Sequence, residues 1–426
     1  MSVTRRATST KRRVAARTKH VSTVFQLHLS FVLYLFLFFS GLLVYLSFRS
    51  FLGGVAYLAF FRGELAKVPS TSTPFVTIIA PCKGLDEGLR ENLTALLEID
   101  YPEYEVIFVV NGGDDPAVPI INELVKNGAF VPERRLVNAE DSRDSGQKVE
   151  NILAATTFAA EESLIFIFID SDVRPQEHWL KHLVAPLEND EVGAATGYRW
   201  FLSKQPSFAS ELRSAWNASI ASALGPNTNS NFCWGGSMAI RREVWEALDL
   251  RERLRGTLSD DFTVTRAMND ANLEIRFVAQ ALTPSIENCT IKELFEFTTR
   301  QMKITRVYKT ELWALSFFGS GLFCLVMLSA FLIVFFSDSN DALVLSAIAN
   351  LFLVSVLSIG KAWLRLKAVS LVIPIASEQL IPQMTLWLLA PPIFLLNCLA
   401  ALFSRTINWR GVRYRLVSAT ETERLN

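Results

Sequence analysis

The chain has 426 residues, half of them apolar, and a positive mean hydropathy of +0.27. That exceeds one ordinary soluble domain and points to membrane segments beside a globular part. Lys plus Arg and Asp plus Glu balance at 42 each, which argues for no nucleic-acid partner. Five cysteines (82, 233, 289, 324 and 398) are odd in number and lack CxxC spacing, which excludes a disulfide framework and a zinc site. They indicate reducing surroundings, in which the Asn-x-Ser/Thr matches at Asn92, Asn217 and Asn288 are incidental.

Residues 1–21 carry seven Lys and Arg and no acid, and read as a disordered basic arm able to touch anionic headgroups. Residues 22–61 are apolar with Arg49 the single charge among them. About 20 residues cross a bilayer, so this anchor holds one long tilted helix or a hairpin of two. A hairpin is favoured, because it keeps the basic arm on the same side as the globular domain.

Residues 62–312 have the composition of an α/β domain. Pro74–Ala80, Tyr104–Val110, Arg134–Asn138 and residues 164–169 read as strands, and Leu85–Leu97, Val118–Asn127 and Lys148–Ala160 as helices. This alternation predicts a Rossmann-like, mainly parallel sheet. Beyond it, Trp313–Phe336, Ala342–Ile359 and Thr385–Phe403 are long enough to span. Residues 361–367 form a basic loop and 368–382 a re-entrant or interfacial piece. The acidic link 337–341 and the basic 361–367 then place the globular domain in the cytoplasm of a multi-pass protein. Residues 404–426 form a tail.

The chemistry begins at Asp170-Ser-Asp172, directly after the buried-type strand Leu164–Ile169. Two carboxylates one residue apart at a strand's C-terminal end suit a divalent cation that also holds a diphosphate. An acidic turn has the same composition. Asn111-Gly-Gly-Asp114-Asp115 follows the second strand, where a Gly-rich bend lets backbone approach a ligand. Asp260-Asp261 opens a helical pattern and serves either as cap and dipole partner or as a base whose pKa rises beside its neighbour. Lys148 opens another helix, positioned for phosphate or uracil unless simply solvated. Trp200–Leu202 and Phe208–Leu224 are either an amphipathic stretch dipping into headgroups or domain core. No His cluster, Ser/His/Asp arrangement or Walker loop is present.

Taken together these sites resemble those of family 2 glycosyltransferases, whose fold is termed GT-A, and within them the ceramide glucosyltransferases. The resemblance rests also on Lys83-Gly-Leu-Asp86, on Cys233–Val244 and on the tail Ile407–Leu416. It implies an inverting hexosyltransferase that moves glucose from a UDP-sugar to a membrane lipid hydroxyl such as ceramide. A polyprenyl-phosphate or hopanoid-type acceptor is the alternative, and a non-catalytic scaffold a further one. By the same resemblance Asp115 touches uridine, and the nucleotide reading of Lys148 fits beside it. Asp170 and Asp172 hold ribose, diphosphate and Mg²⁺ or Mn²⁺, and Asp261, beside Asp260, is the base. Trp234, Gly235, Gly236 and Ser237 form the acceptor side. Trp409, Arg410, Arg413 and Tyr414 form an interfacial anchor or a lid. The family's (Q/R)xxRW motif stands here as Arg300-Gln-Met-Lys303-Ile304. Lys replaces Arg and Ile replaces Trp, so Arg300 and Lys303 are left to meet the diphosphate without a second bidentate fork.

Overall fold

The computed structural model describes residues 2–68, 70–126, 132–337 and 342–426, with side chains from residue 33 onward. In chain order, helix α1 (Ser2–Leu65) precedes β1 (Val76–Pro81), α2 (Leu89–Leu97), β2 (Tyr104–Asn111), α3 (Val118–Lys126) and β3 (Glu133–Ala139). Then come α4 (Gln147–Ala155), β4 (Ile165–Ile169), α5 (Trp179–Val184), β5 (Val192–Leu202), α6 (Phe208–Ala221) and β6 (Ser237–Arg241). After α7 (Arg242–Ala247) and α8 (Leu250–Leu254) follow α9 (Asp260–Asp270), β7 (Glu274–Ile286) and α10 (Ile291–Tyr308). The C-terminal part comprises α11 (Thr310–Phe336), α12 (Ala342–Val369), α13 (Leu380–Thr385) and α14 (Ala390–Phe403). It ends in the strands β8 (Thr406–Trp409), β9 (Val412–Leu416) and β10 (Thr422–Arg424).

The main sheet has seven strands in the order β3-β2-β1-β4-β6-β5-β7. Strands β1 to β4 pair in parallel, and β6 runs antiparallel between β4 and β5. All five residues of β4 and all eleven of β5 are buried, as expected where helices cover both faces of a sheet. Each large apolar side chain so buried stabilises the fold by about 1.5–3 kcal/mol relative to exposure. The chain winds outward from β1 to β3 and returns to lay β4 on the other side of β1. That reversal is a switch point, where crevices open beyond the carboxyl ends of strands. Pairing of Ile169 with Ser237 delivers the turn before β6 to the same edge.

The chain divides into two compact units, residues 1–51 with 321–358, and residues 52–320 with 359–426. Among the described residues three helices are long and apolar enough to cross a membrane, over Leu33–Leu65, Thr310–Phe336 and Ala342–Val369. Neither the disorder expected of residues 1–21 nor the hairpin expected within residues 22–61 is found. Helix α1 runs unbroken from Ser2 to Leu65, since no proline interrupts the segment and its four glycines, 41, 53, 54 and 63, weaken a helix without ending it. Residues 361–367 are likewise no loop but the last turns of α12. The segment expected as the third C-terminal crossing is a bent pair of helical pieces, Pro374–Leu388 and Ala390–Phe403, meeting at 57°. Trp200 and Trp216 lie in the core at 1% and 0% exposure, so the headgroup-dipping reading of this stretch gives way to the core one. Trp200 Nε1 donates to Gln379 at 2.8 Å, and Trp216 stacks on Phe394 at 4.5 Å. Asn92 and Asn217 are buried as well, out of reach of any glycosylating enzyme.

Candidate active site

The segments after β1, β2 and β4, the starts of α4 and α9, and the turn before β6 meet at the switch point. After β4, Asp170 and Asp172 stand within reach of two cations. Lys148 Nζ lies 2.8 Å from Asp170 and 3.0 Å from Asp260, joining the β4 turn to the start of α9. Arg199, near the end of β5, reaches Asp170 at 2.7 Å and Asp172 at 3.1 Å. Burial works against the charge on Asp170, but Lys148 and Arg199 outweigh it and hold its pKa below the usual range. Burial likewise opposes the charges of Lys148 and Arg199, and the facing carboxylates raise both pKa values nonetheless.

Helix α9 is capped by Ser259, whose hydroxyl accepts from the Phe262 amide. Capping therefore does not require Asp260 or Asp261, and their carboxylates are free for the crevice. Asp261 accepts a 2.6 Å hydrogen bond from the Gly235 N–H. Burial first, and then the Asp260 charge, raise the Asp261 pKa from 3.8 to about 7. A carboxylate so placed is matched to taking a proton near neutral pH.

The glycines before β6 are there for room. A Cβ on Gly235 would meet Asp260 Oδ2 at 1.8 Å, and one on Gly236 would meet Asp170 Oδ2 at 2.6 Å and the Trp234 ring at 2.1 Å. Trp234 packs on Tyr198 at 5.3 Å and beneath the Arg199 guanidinium at 4.8 Å. Ser237 does not belong with them. It is fully buried, accepts from Trp179 Nε1 at 2.8 Å and donates to the Ala281 carbonyl, so it fastens the sheet.

Asp115 accepts from the amides of Gly84 and Ala117 at 3.0 and 2.9 Å, which fixes the loop after β1 against the start of α3. That loop contributes Asp86, which accepts from Ser171 Oγ at 2.7 Å and pairs with Arg410. Burial raises the Asp86 pKa, with Arg410 opposing and Asp172 reinforcing the rise. At the other margin Glu287 is pushed to about 6 by burial, Arg213 opposing and Asp172 adding to it.

The tail folds as the antiparallel sheet β10-β9-β8 and docks on this region. The Tyr414 hydroxyl accepts from the Gln147 amide, and Arg410 lies 3.9 Å from Asp172. Arg413 points away, exposed on the outer face of β9. Arg300 stacks against Trp409 at 5.3 Å, and burial, then Arg410 and Arg199, lower its pKa to about 10. Lys303 is not at the crevice, because its ammonium donates to the Thr406 carbonyl at 2.7 Å and to Ser404 Oγ at 3.2 Å.

A family model, glycosyl transferase family 21, matches residues 42–422. The chain belongs to glycosyl transferase family 21. This glycosyltransferase is 32% identical over 85 residues to ceramide glucosyltransferase 3 of Caenorhabditis elegans, covering 20% of this chain and 18% of that one. It is 29% identical over 128 residues to the ceramide glucosyltransferase of Komagataella phaffii, covering 28% and 25%. Ceramide glucosyltransferase 1 of C. elegans matches at 20% over 234 residues, 54% of this chain and 49% of that one. The matched stretches thus span half or less of these relatives. Among solved structures, the mannosyltransferase PcManGT from Pyrobaculum calidifontis, in complex with GDP-Man and Mn²⁺, superposes with a TM-score of 0.46. Its identity is 18%, covering 86% of this chain and 99% of that one.

Sequence reasoning located Asp170, Asp172, Asp260, Asp261, Lys148, Gly235 and Gly236, and the structure gathers these into one cluster. It missed Arg199, which a run of buried strand residues conceals. The signal available was an Arg inside the otherwise uncharged stretch Val192–Leu202, where an unpaired charge would be costly.

Proposed function

We propose that this glycosyltransferase moves a hexose, glucose from UDP-glucose, to a hydroxyl of a membrane lipid such as ceramide, with inversion at the anomeric carbon. The observation that carries the reading is the Asp261 carboxylate, raised to about 7, positioned by Gly235 and tied through Asp260 and Lys148 to Asp170. Asp261 takes the acceptor hydroxyl's proton as the oxygen attacks the anomeric carbon, and the nucleoside diphosphate departs on the opposite side. One base contributes about 10²–10⁴-fold, so positioning and fixed charges supply the remainder. Lys148 and Arg199 are the fixed cations nearest the Asp170-Ser-Asp172 turn.

The acidic pair fits a divalent cation, Mg²⁺ or Mn²⁺. Asp172 Oδ1 is buried without a hydrogen-bond partner, and carboxylate oxygens are the ligands such hard ions take. Asp170 and Asp172 would hold it. Bound there, such an ion would offset charge on the leaving diphosphate. Among the described residues no group of three or more His, Cys, Asp or Glu is arranged to hold a metal.

The lipid acceptor is supported by the three apolar helices and by the named relatives. The second carboxylate at Asp172, which ceramide glucosyltransferases often lack, favours the second reading, another lipid such as a polyprenyl phosphate or hopanoid-type alcohol. Purified membranes incubated with labelled UDP-glucose and either ceramide or a polyprenyl phosphate separate the two. Labelled glucosylceramide is expected, and labelled product with the polyprenyl phosphate alone would reassign the acceptor.

A further inference from the structure

The altered motif on α10 and the tail hairpin are one device. Ile304 stands where the family pattern has Trp, and it is buried at 5% exposure in a cluster with Tyr308, Ile407, Val412, Tyr414 and Leu416. Lys303 stands where the pattern has Arg, and its ammonium fastens β8 through the Thr406 carbonyl. A compact ammonium on a flexible stem suits a single carbonyl, where a planar fork would not. Both departures therefore build the platform on which the hairpin rests.

The hairpin carries back what the helix has given up. Trp409 and Val412 pair across a two-residue turn whose members, Arg410 and Gly411, have φ of 50° and 82°. Turns with positive φ at both positions match hairpin twist but favour Asn or Gly at the first. An Arg held there is strained, and such strain persists where the surroundings fix it. The surroundings are the crevice, where Arg410 Nη1 donates to the Lys83 carbonyl at 3.0 Å and pairs with Asp86, with Asp172 at 3.9 Å. Trp409 meanwhile lies against Arg300, for which no carboxylate among the described residues lies within ion-pair distance. A guanidinium held by an aromatic face and left without an acid is available to an anion.

We propose that Trp409 and Arg410 supply, from the tail, the aromatic and guanidinium groups missing at positions 303–304, and that Arg410 with Arg300 binds the diphosphate of the nucleotide donor. The inference rests on the donor being a nucleoside diphosphate sugar, as proposed above. Arg410 exchanges Asp86 for phosphate oxygens when the donor arrives, and the hairpin closes on the crevice as it does so.

The test uses the full chain in lipid nanodiscs, with UDP and uridine as probes in equilibrium binding. Arg410→Ala is expected to weaken UDP at least about tenfold, the scale of one charge-assisted bidentate contact, and to leave uridine unchanged. Arg410→Lys, which keeps the charge and is the milder change should Ala disturb folding, should fall between. Ile304→Trp restores the family's aromatic residue yet overfills the platform, and it should weaken UDP as well. UDP should slow tryptic cleavage at Arg413 and Arg415 in the wild type and not in Arg410→Ala. Wild-type protein that binds UDP, with Arg410→Ala, Arg410→Lys and Ile304→Trp all binding it equally well, overturns the role of the hairpin alone. Wild-type protein that binds no UDP overturns this inference together with the donor assignment.

Discussion

At the scale of residues, Asp261 carries the sharpest expectations. Asn at this position keeps an oxygen for the Gly235 N–H but cannot take a proton, so Asp261→Asn should lower the transfer rate by about 10²–10⁴-fold. The same change should stabilise the fold. A carboxyl whose pKa rises from 3.8 to about 7 on folding binds protons more tightly in the native state, so its ionisation costs native stability as pH rises through that interval. The variant is free of this cost and should gain about 1–3 kcal/mol above pH 7, with the advantage fading towards pH 4. Thermal unfolding across pH checks it, and equal midpoints at pH 8 would contradict the raised pKa. In the wild type, kcat/KM should fall about tenfold per pH unit below about 7, because only the ionised carboxylate acts as base.

At the scale of elements, the turn before β6 sets the geometry. Gly235→Ala drives a methyl group into Asp260 and Asp261, and overpacking of this kind typically costs about 1–3 kcal/mol. It should separate Asp261 from its amide donor and remove transfer while leaving secondary structure intact by circular dichroism; retained turnover would show that the turn can relax. The first four strands were legible because a parallel sheet writes continuous apolar runs such as residues 165–169. The insertion of β6 antiparallel between β4 and β5 was not, since pairing partners far apart in sequence leave no local periodicity. Hence Ser237 passed for an acceptor-side residue, and the stretch holding Trp200 stayed open between headgroup contact and core, although both residues belong to the sheet. The carboxylate turns were readable because Asp rarely ends a buried strand without a partner or a ligand.

At the scale of the whole molecule, Lys361, Arg365 and Lys367 close α12 and belong to the same compact unit as the crevice. Positive charge at the end of a span marks the cytoplasmic side. A glycosylation acceptor inserted between residues 337 and 342 should therefore be modified in a eukaryotic membrane, and one beside the exposed Leu85 should not; the reverse pattern would turn the protein over. The neutrality of the chain, 42 against 42, is repeated inside the crevice, where every acid of the Asp170-Ser-Asp172 turn is already matched by a base. Inactivity after Asp170→Asn therefore does not by itself report a lost cation site, because the change takes from Lys148 and Arg199 one of the two carboxylates each one meets, leaving them Asp260 and Asp172 alone, and a weakened buried charge network destabilises the fold. Lys148→Met should do comparable damage from the opposite sign, and the two together less than their sum. Genetic dissection of such a site requires charge-matched pairs, or folding defects will be scored as chemistry.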